Sequence, residues 1–150
     1  MHDDFKEFIE SLKSAEVEFV VIGAHALAFH ARPRYTEDLD IFFRRSAENR
    51  PRLSRALKDF GIPVTEAAME VLFSTEKEMI VLGIEPNAID LMNFLTGVSF
   101  DEAWAGRVEG NVVGVVAPII GLAEYRKTKQ AVGRAKDLAD LALLKEILGE

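Results

Sequence analysis

The sequence predicts an α/β (α+β) domain in which helices flank a mixed β-sheet and the C-terminus is helical. Helix and strand patterns alternate early in the chain, and a strand-rich middle precedes a helical end, which is typical of this class. The chain has 150 residues, of which 49% are hydrophobic, enough for one core. No repeat or linker marks a boundary, so we expect a single domain over residues 1–150.

The first part of the chain supplies alternating helices and strands. Apolar residues recur at helical spacing over residues 4–14, and residues 17–22 form a β-branched and aromatic run typical of a buried strand. A short helix is predicted over residues 24–31, where Pro33 stops it. Residues 39–43 are the next strand. A helix follows from about residue 47 to residue 60 and ends at a glycine.

The second part predicts a hairpin, a further strand and two helices. Residues 79–83 and 88–92 are strand-like, and Glu85-Pro86-Asn87 between them has turn composition. Residues 108–117 predict another strand with a turn at Gly110-Asn111. Pro118 is expected to open a helix that reaches Val132, because proline is favoured at a first helical position. A final helix is expected from residue 134 or 136 to residue 148.

Composition narrows the classes of function. The chain has no Cys, which excludes disulfides and thiolate chemistry, and no apolar run approaches the roughly 20 residues of a membrane span. The acidic N-terminus does not resemble a signal peptide, so we expect a cytoplasmic protein without membrane contact. The net charge of −7 argues against broad non-specific binding of nucleic acid. A local basic patch for a triphosphate or an RNA end remains open, from Arg32, Arg34, Arg44 and Arg45.

The strongest local signal is the pair Asp38 and Asp40 at the mouth of an apolar strand. Side chains alternate along a strand, so the two carboxylates are expected to point the same way. Their repulsion is costly unless a cation or a proton lies between them, and Mg²⁺ prefers carboxylate oxygens. A solvated strand end is an equally good explanation of this pair taken alone.

A glycine lies upstream of these carboxylates, in the strand-to-helix sequence Gly23-Ala24-His25. A glycine there lets backbone N–H groups approach a phosphate, and the helix N-terminus favours negative charge. A tight packing turn explains the same glycine, and a satisfied turn histidine explains His25.

A third carboxylate, Asp90, interrupts an apolar strand at residues 88–92. Burying a charge there is expensive unless it is paired or bound to a metal. An edge strand with one exposed face would explain Asp90 without any function.

A last cluster lies near the C-terminus. Lys129 shares the apolar face of its helix, where it either extends to water or reaches a polar pocket. Lys136, Asp137 and Asp140 group on one side of the next helix, where pairing of Lys136 with Asp140 is the simplest structural explanation.

In this order, the features resemble the nucleotidyltransferase-fold superfamily that includes DNA polymerase β, and within it the small AbiEii-type and MenT-like proteins of toxin–antitoxin systems. The superfamily pattern is a strand, Gly-Gly or Gly-Ser at a helix start, Asp-x-Asp on the next strand and a later Asp. The matching stretches, from about Val20 to Asp140, are Val21–Ala26, Arg34–Asp40, Ile89–Leu91 and the run from Lys129 to Asp140. Ala24 departs from the pattern, because the superfamily usually has Gly or Ser there, and the hydroxyl contact that a serine would make to phosphate is missing.

The resemblance implies a magnesium-dependent nucleotidyltransferase, with Mn²⁺ as an alternative ion, that moves a nucleoside monophosphate from an NTP to a hydroxyl of RNA, protein or a small molecule. It implies metal ligands at Asp38, Asp40 and Asp90, which together with Lys129 would be catalytic. Nucleotide contacts are implied at Gly23, Ala24, His25, Arg34, Thr36, Lys129 and Asp137. A toxin-like role, with a tRNA or protein acceptor and an antitoxin partner, is also implied. A non-catalytic nucleotide- or partner-binding module and a metal-dependent phosphodiesterase or nuclease are the alternatives.

Overall fold

A mixed sheet of six strands lies at the centre of the computed structural model, which describes residues 2–31, 38–84 and 87–150, with backbone alone at residues 2 and 3. The helices of these ranges are α1 (His2–Ser14), α2 (Gly23–His30), α3 (Asn49–Phe60), α4 (Glu66–Ser74), α5 (Phe100–Ala105), α6 (Leu122–Val132) and α7 (Ala135–Leu148). The strands are β1 (Phe19–Ile22), β2 (Leu39–Phe43), β3 (Met79–Leu82), β4 (Ile89–Met92), β5 (Val108–Val112) and β6 (Val115–Ile119). The predicted α/β class with a helical C-terminus is confirmed.

The strand order β3-β4-β2-β1-β6-β5 combines both kinds of pairing. β1 is antiparallel to β2, β2 is parallel to β4, and β4 is antiparallel to β3, as the predicted hairpin requires. Because β1 and β2 run in opposite directions, the end of β1 lies beside the start of β2. The parallel partner β4 starts at the same edge, so three chain segments meet there.

One face of the sheet is closed by helices and forms the core. Phe8, Ile9 and Leu12 of α1 are fully buried, as are Ile41 of β2 and Leu53 of α3. These side chains follow the helical and alternating patterns that the sequence shows. No helix within the described ranges is long and apolar enough to cross a membrane.

The region around Pro118 differs from the prediction. Residues 108–119 form the hairpin β5–β6, whose turn lies at Val113-Gly114, and Gly110-Asn111 lies within β5. Pro118 lies in β6 opposite Glu109, and α6 begins only at Leu122. Alternate pairs of an antiparallel ladder lack hydrogen bonds, so a strand proline can be tolerated at such a position. The preference of proline for a first helical position therefore led to a wrong predicted start for this helix.

Asn93 fixes the end of β4. Its exposed fraction is 8%, and its side-chain amide donates to the carbonyls of Leu72 and Thr75, both at 2.8 Å. Its side-chain oxygen accepts from the backbone N–H of Glu78 at 2.9 Å. These three bonds tie the residues after β4 to α4 and to the approach to β3. The chain that follows Asn93 consequently leaves the sheet at a defined place.

Candidate active site

Asp40 and Asp90 lie opposite each other on neighbouring parallel strands. They are register partners in the β2–β4 pair. Both line one cavity, together with Asp38 just before β2. Asp90 thus lies on the same face of the sheet as the two earlier carboxylates, which the nucleotidyltransferase hypothesis requires.

Asp40 is in an environment that disfavours its negative charge. Its pKa is raised from the ordinary value of 3.8 to about 7. Burial is the largest cause, followed by the hydrogen bond and charge of Asp90 and the charge of Asp38, while the positive charge of Lys129 acts in the opposite direction. A cation at this position would compensate the charge that the surroundings of Asp40 disfavour.

Asp38 has a second role in the structure. Its Oδ1 accepts a hydrogen bond from the backbone N–H of Ala88 at 3.0 Å, which fixes the start of β4 against the start of β2. The residue before β2 therefore helps to align Asp90 with Asp40. Asp38 also lines the cavity.

The turn at Gly23 brings the start of α2 against Asp40. Gly23 has φ +69°, and a Cβ added to it would lie only 2.1 Å from Oδ2 of Asp40. A glycine is required for both reasons, the positive φ and the close approach. Gly23 and Ala24 line the cavity, and no side chain caps the N–H groups at this helix start. Those donors can face an anion.

His25 lies apart from the other predicted site residues. Its side chain is buried, with 7% exposed, and packs edge-on against the ring of Phe5 at 5.9 Å between centroids. His25 is not among the cavity-lining residues, since one helical step beyond Ala24 turns the side chain toward α1. The expected contact of His25 with a nucleotide does not fit this orientation. Arg34 and Thr36 lie outside the described residues.

Lys129 is held at the cavity by two carboxylates of α7. Its Nζ lies 3.2 Å from Oδ1 of Asp137 and 3.1 Å from Oδ2 of Asp140, and 5.5 Å from the ring centroid of Tyr125. Asp140 is thus paired with Lys129 of the preceding helix, where the sequence suggested pairing with Lys136. Lys129 thus reaches from the apolar face of α6 into a polar pocket, which was one of the two alternatives that its position in the sequence allowed.

Asp137 is almost completely enclosed, with 1% exposed. Its Oδ2 accepts from Nε of Arg134 at 2.7 Å and from the backbone N–H of Arg134 at 3.2 Å, while Oδ1 faces Lys129. The hydrogen bond from Arg134, aided by Lys129, holds the pKa of Asp137 well below its ordinary value, although burial acts the other way. Both carboxylate oxygens are engaged, so Asp137 orients Lys129 and Arg134.

The cavity has a volume of about 930 Å³ and is lined by both charged and apolar groups. Its size is typical of ligand-binding clefts. Sequence reasoning did not single out part of its wall: the residues after β4 and the junction of α6 and α7, namely Met92, Phe94, Leu95, Thr96, Thr128, Val132 and Arg134. The available signal was the spacing: Phe94 follows Met92 by two residues and Asp90 by four, which is the interval at which side chains of a strand lie on one face.

The carboxylate pair fits a divalent cation. No group of three or more His, Cys, Asp or Glu side chains is gathered in a metal-binding arrangement within residues 2–31, 38–84 and 87–150. Mg²⁺ needs fewer protein ligands, since it commonly binds one or two carboxylates and completes its shell with water and substrate phosphates. Asp40 and Asp90, which face each other in the cavity, are the carboxylates between which such an ion would fit.

The fold is similar to that of a known protein. A solved structure of a Thermotoga maritima protein, provisionally classed as a nucleotidyltransferase, has a similar fold, with a TM-score of 0.56. The sequences are 19% identical, and the match covers 92% of this chain and 88% of that one. The fold is therefore that of a nucleotidyltransferase. No curated protein gives a significant match.

The sequence also matches a known family. Residues 4–144 correspond to the aminoglycoside-2''-adenylyltransferase family, so nearly the whole chain is included. The chain belongs to the aminoglycoside-2''-adenylyltransferase family. It is an enzyme of the transferase class, and the expectation of a nucleotidyltransferase is confirmed at this level.

Proposed function

We propose that this enzyme transfers a nucleoside monophosphate from an NTP to a hydroxyl acceptor in a magnesium-dependent reaction. The observation that carries the proposal is the pairing of Asp40 with Asp90, next to the uncapped start of α2, in one cavity. Asp38, Asp40 and Asp90 would hold the metal, with Mn²⁺ as an alternative. When bound, the ion would neutralise charge on the phosphates and stabilise the oxygens of an in-line displacement.

Other groups of the chain would bind the phosphates and position the attacking hydroxyl. The backbone N–H groups at Gly23 and Ala24 would bind the phosphates. No side-chain hydroxyl would contribute at this turn, because residue 24 is an alanine. Asp90 would accept the proton of the attacking hydroxyl or orient it. Lys129, fixed by Asp137 and Asp140, would place its ammonium against the triphosphate.

The acceptor that we propose first is a small molecule. The family is named for adenylyl transfer to an aminoglycoside, which makes ATP and a cationic, hydroxyl-rich acceptor the leading pair. The net charge of −7 and the carboxylates in the cavity favour a cation over a polyanion. A tRNA or protein acceptor, with a toxin-like role of the AbiEii or MenT kind and an antitoxin partner, is the second candidate, supported by the sequence motifs.

The test is transfer of label from α-labelled NTPs to a panel of an aminoglycoside, tRNA and protein, with pyrophosphate release as a second readout. Asp40→Asn is expected to lower the rate at least about 100-fold, which corresponds to about 2.7 kcal/mol. Asp59→Asn is the matched control, because Asp59 is an exposed carboxylate of α3 outside the cavity.

Equal pyrophosphate release by the wild type and Asp40→Asn would contradict the assigned role of Asp40. If neither protein releases pyrophosphate, a non-catalytic binding module is favoured. Cleavage of nucleic acid without pyrophosphate release would instead favour a phosphodiesterase or nuclease. Chelation of divalent ions is expected to stop transfer, and Mn²⁺ or Mg²⁺ to restore it.

A further inference from the structure

Phe94 is an aromatic residue that lines the cavity and that the core does not use. It is half-buried, and it is not among the apolar side chains packed against the core cluster in the described part of the chain. Its ring pairs with no other aromatic ring there either, whereas Phe42, Phe43 and Phe100 all do. An aromatic side chain in this situation is available to a ligand.

The sheet determines the direction of Phe94. Asp90 and Met92 lie on one face of β4 and line the cavity, and Phe94, two residues after the end of the strand, lines the same cavity. Asn93 between Met92 and Phe94 is fixed by its three hydrogen bonds. Four residues span at most roughly 13 Å, so the backbone of Phe94 lies within that distance of Asp90. Phe94 therefore directly follows a residue that is tied to the rest of the fold.

Helix α6 contributes to the same cavity. A Cβ added to Gly97 would lie 2.6 Å from Cβ of Ala131, so the segment after Phe94 rests directly on this helix. Thr128, one turn before Ala131, and Val132, the residue after it, line the cavity together with Phe94. The cavity wall therefore combines apolar side chains with hydroxyl groups.

We infer that Phe94 stacks on the nucleobase of the NTP, an inference that rests on the proposed function. A nucleobase has flat apolar faces and a polar edge, and a cavity wall that combines apolar side chains with hydroxyl groups suits both. With the phosphates at Gly23 and the carboxylates, the nucleoside extends along β4 toward Phe94, away from the helix start. Stacking on an aromatic side chain does not depend on the identity of the base.

The test compares two probes by calorimetry in the presence of Mg²⁺: a non-hydrolysable ATP analogue and inorganic tripolyphosphate. Phe94→Ala is expected to weaken binding of the ATP analogue by about 5- to 150-fold, and Phe94→Leu by about 10-fold. Phe94→Tyr keeps the ring and should bind the analogue like the wild type. Binding of tripolyphosphate, which has no base, should be unchanged in all three variants.

Phe29→Leu is the matched control, because Phe29 is another partly exposed phenylalanine and lies outside the cavity. An unchanged thermal midpoint in the Phe94 variants verifies that they are folded. The inference is overturned if Phe94→Leu binds the analogue like the wild type, or loses tripolyphosphate equally. If the wild type binds neither probe, the proposed function fails as well, and the two failures are thereby distinguished.

Discussion

Replacement of Gly23 by alanine tests the contact between the helix start and the candidate metal site. The new Cβ would lie 2.1 Å from Oδ2 of Asp40, whereas ordinary contact begins at 3.4 Å. The carboxylate must therefore move by about 1.3 Å, unless the turn itself moves. The substitution also places a side chain at φ +69°, which costs roughly 1–2 kcal/mol.

Two quantities follow for Gly23→Ala. In a chain of this size a loss of 1 kcal/mol lowers the melting temperature by about 2–4 °C, so a decrease of about 2–8 °C is expected from the backbone strain. A misplacement of about 1 Å at the reacting groups can lower the rate about 100-fold. Thermal unfolding and pyrophosphate release with Mg²⁺ and ATP measure the two effects separately.

Gly61→Ala is the matched control for this experiment. Gly61 ends α3 at φ +95°, and nothing lies within 4 Å of a Cβ added there. This variant should lose a similar amount of stability and keep full activity. The reasoning is refuted if Gly23→Ala keeps wild-type activity, or if Gly61→Ala loses as much activity as Gly23→Ala.

Three further predictions concern the carboxylates. The raised pKa of Asp40 contributes stability that is complete below about pH 3.8 and lost as the pH rises through about 7, so the metal-free wild type should melt at a lower temperature at pH 8 than at pH 5.5. Asp40→Asn should reduce this slope in differential scanning fluorimetry, and an unchanged slope would assign it to other groups. Asp38→Asn keeps an acceptor for the N–H of Ala88, so its melting temperature should match the wild type while activity falls by about 10-fold or more; equal losses of both would make Asp38 purely structural. The lowered pKa of Asp137 contributes stability that is present above about pH 3.8 and lost on acidification below it, so Asp137→Asn should lower the melting temperature at pH 7 more than Asp59→Asn does.

Much of the fold could be predicted from the sequence because local patterns were strong. The strand at residues 39–43 and the helix end at Gly61 are as expected, since apolar alternation and a glycine C-cap are short-range signals. Helices α4 and α5 were not predicted. Their helical signals are short, and α5 depends on a capping box in which Ser99 and Glu102 bond to each other's backbone N–H groups.

The site was predictable in its residue types and not in its full geometry. Asp40 and Asp90 were visible as charges in apolar strands, but their pairing depends on the parallel register of β2 and β4, which local sequence does not encode. The outward direction of Phe94 and the inward direction of His25 likewise depend on tertiary packing. Their roles, and those of Asp38 and Lys129, remain predictions for the experiments above.

The parallel pairing of β2 with β4 has a consequence for the folding kinetics. Asp40 and Asp90 are 50 positions apart in the sequence, and α3, α4 and β3 lie between the two strands that carry them. Bringing such distant segments together costs loop-closure entropy before their contacts contribute, so we expect this pair to form after the transition state of folding. A cation held between these two side chains would therefore leave the refolding rate unchanged and slow the unfolding rate. Bound magnesium would stabilise the folded protein against unfolding and would not accelerate its folding.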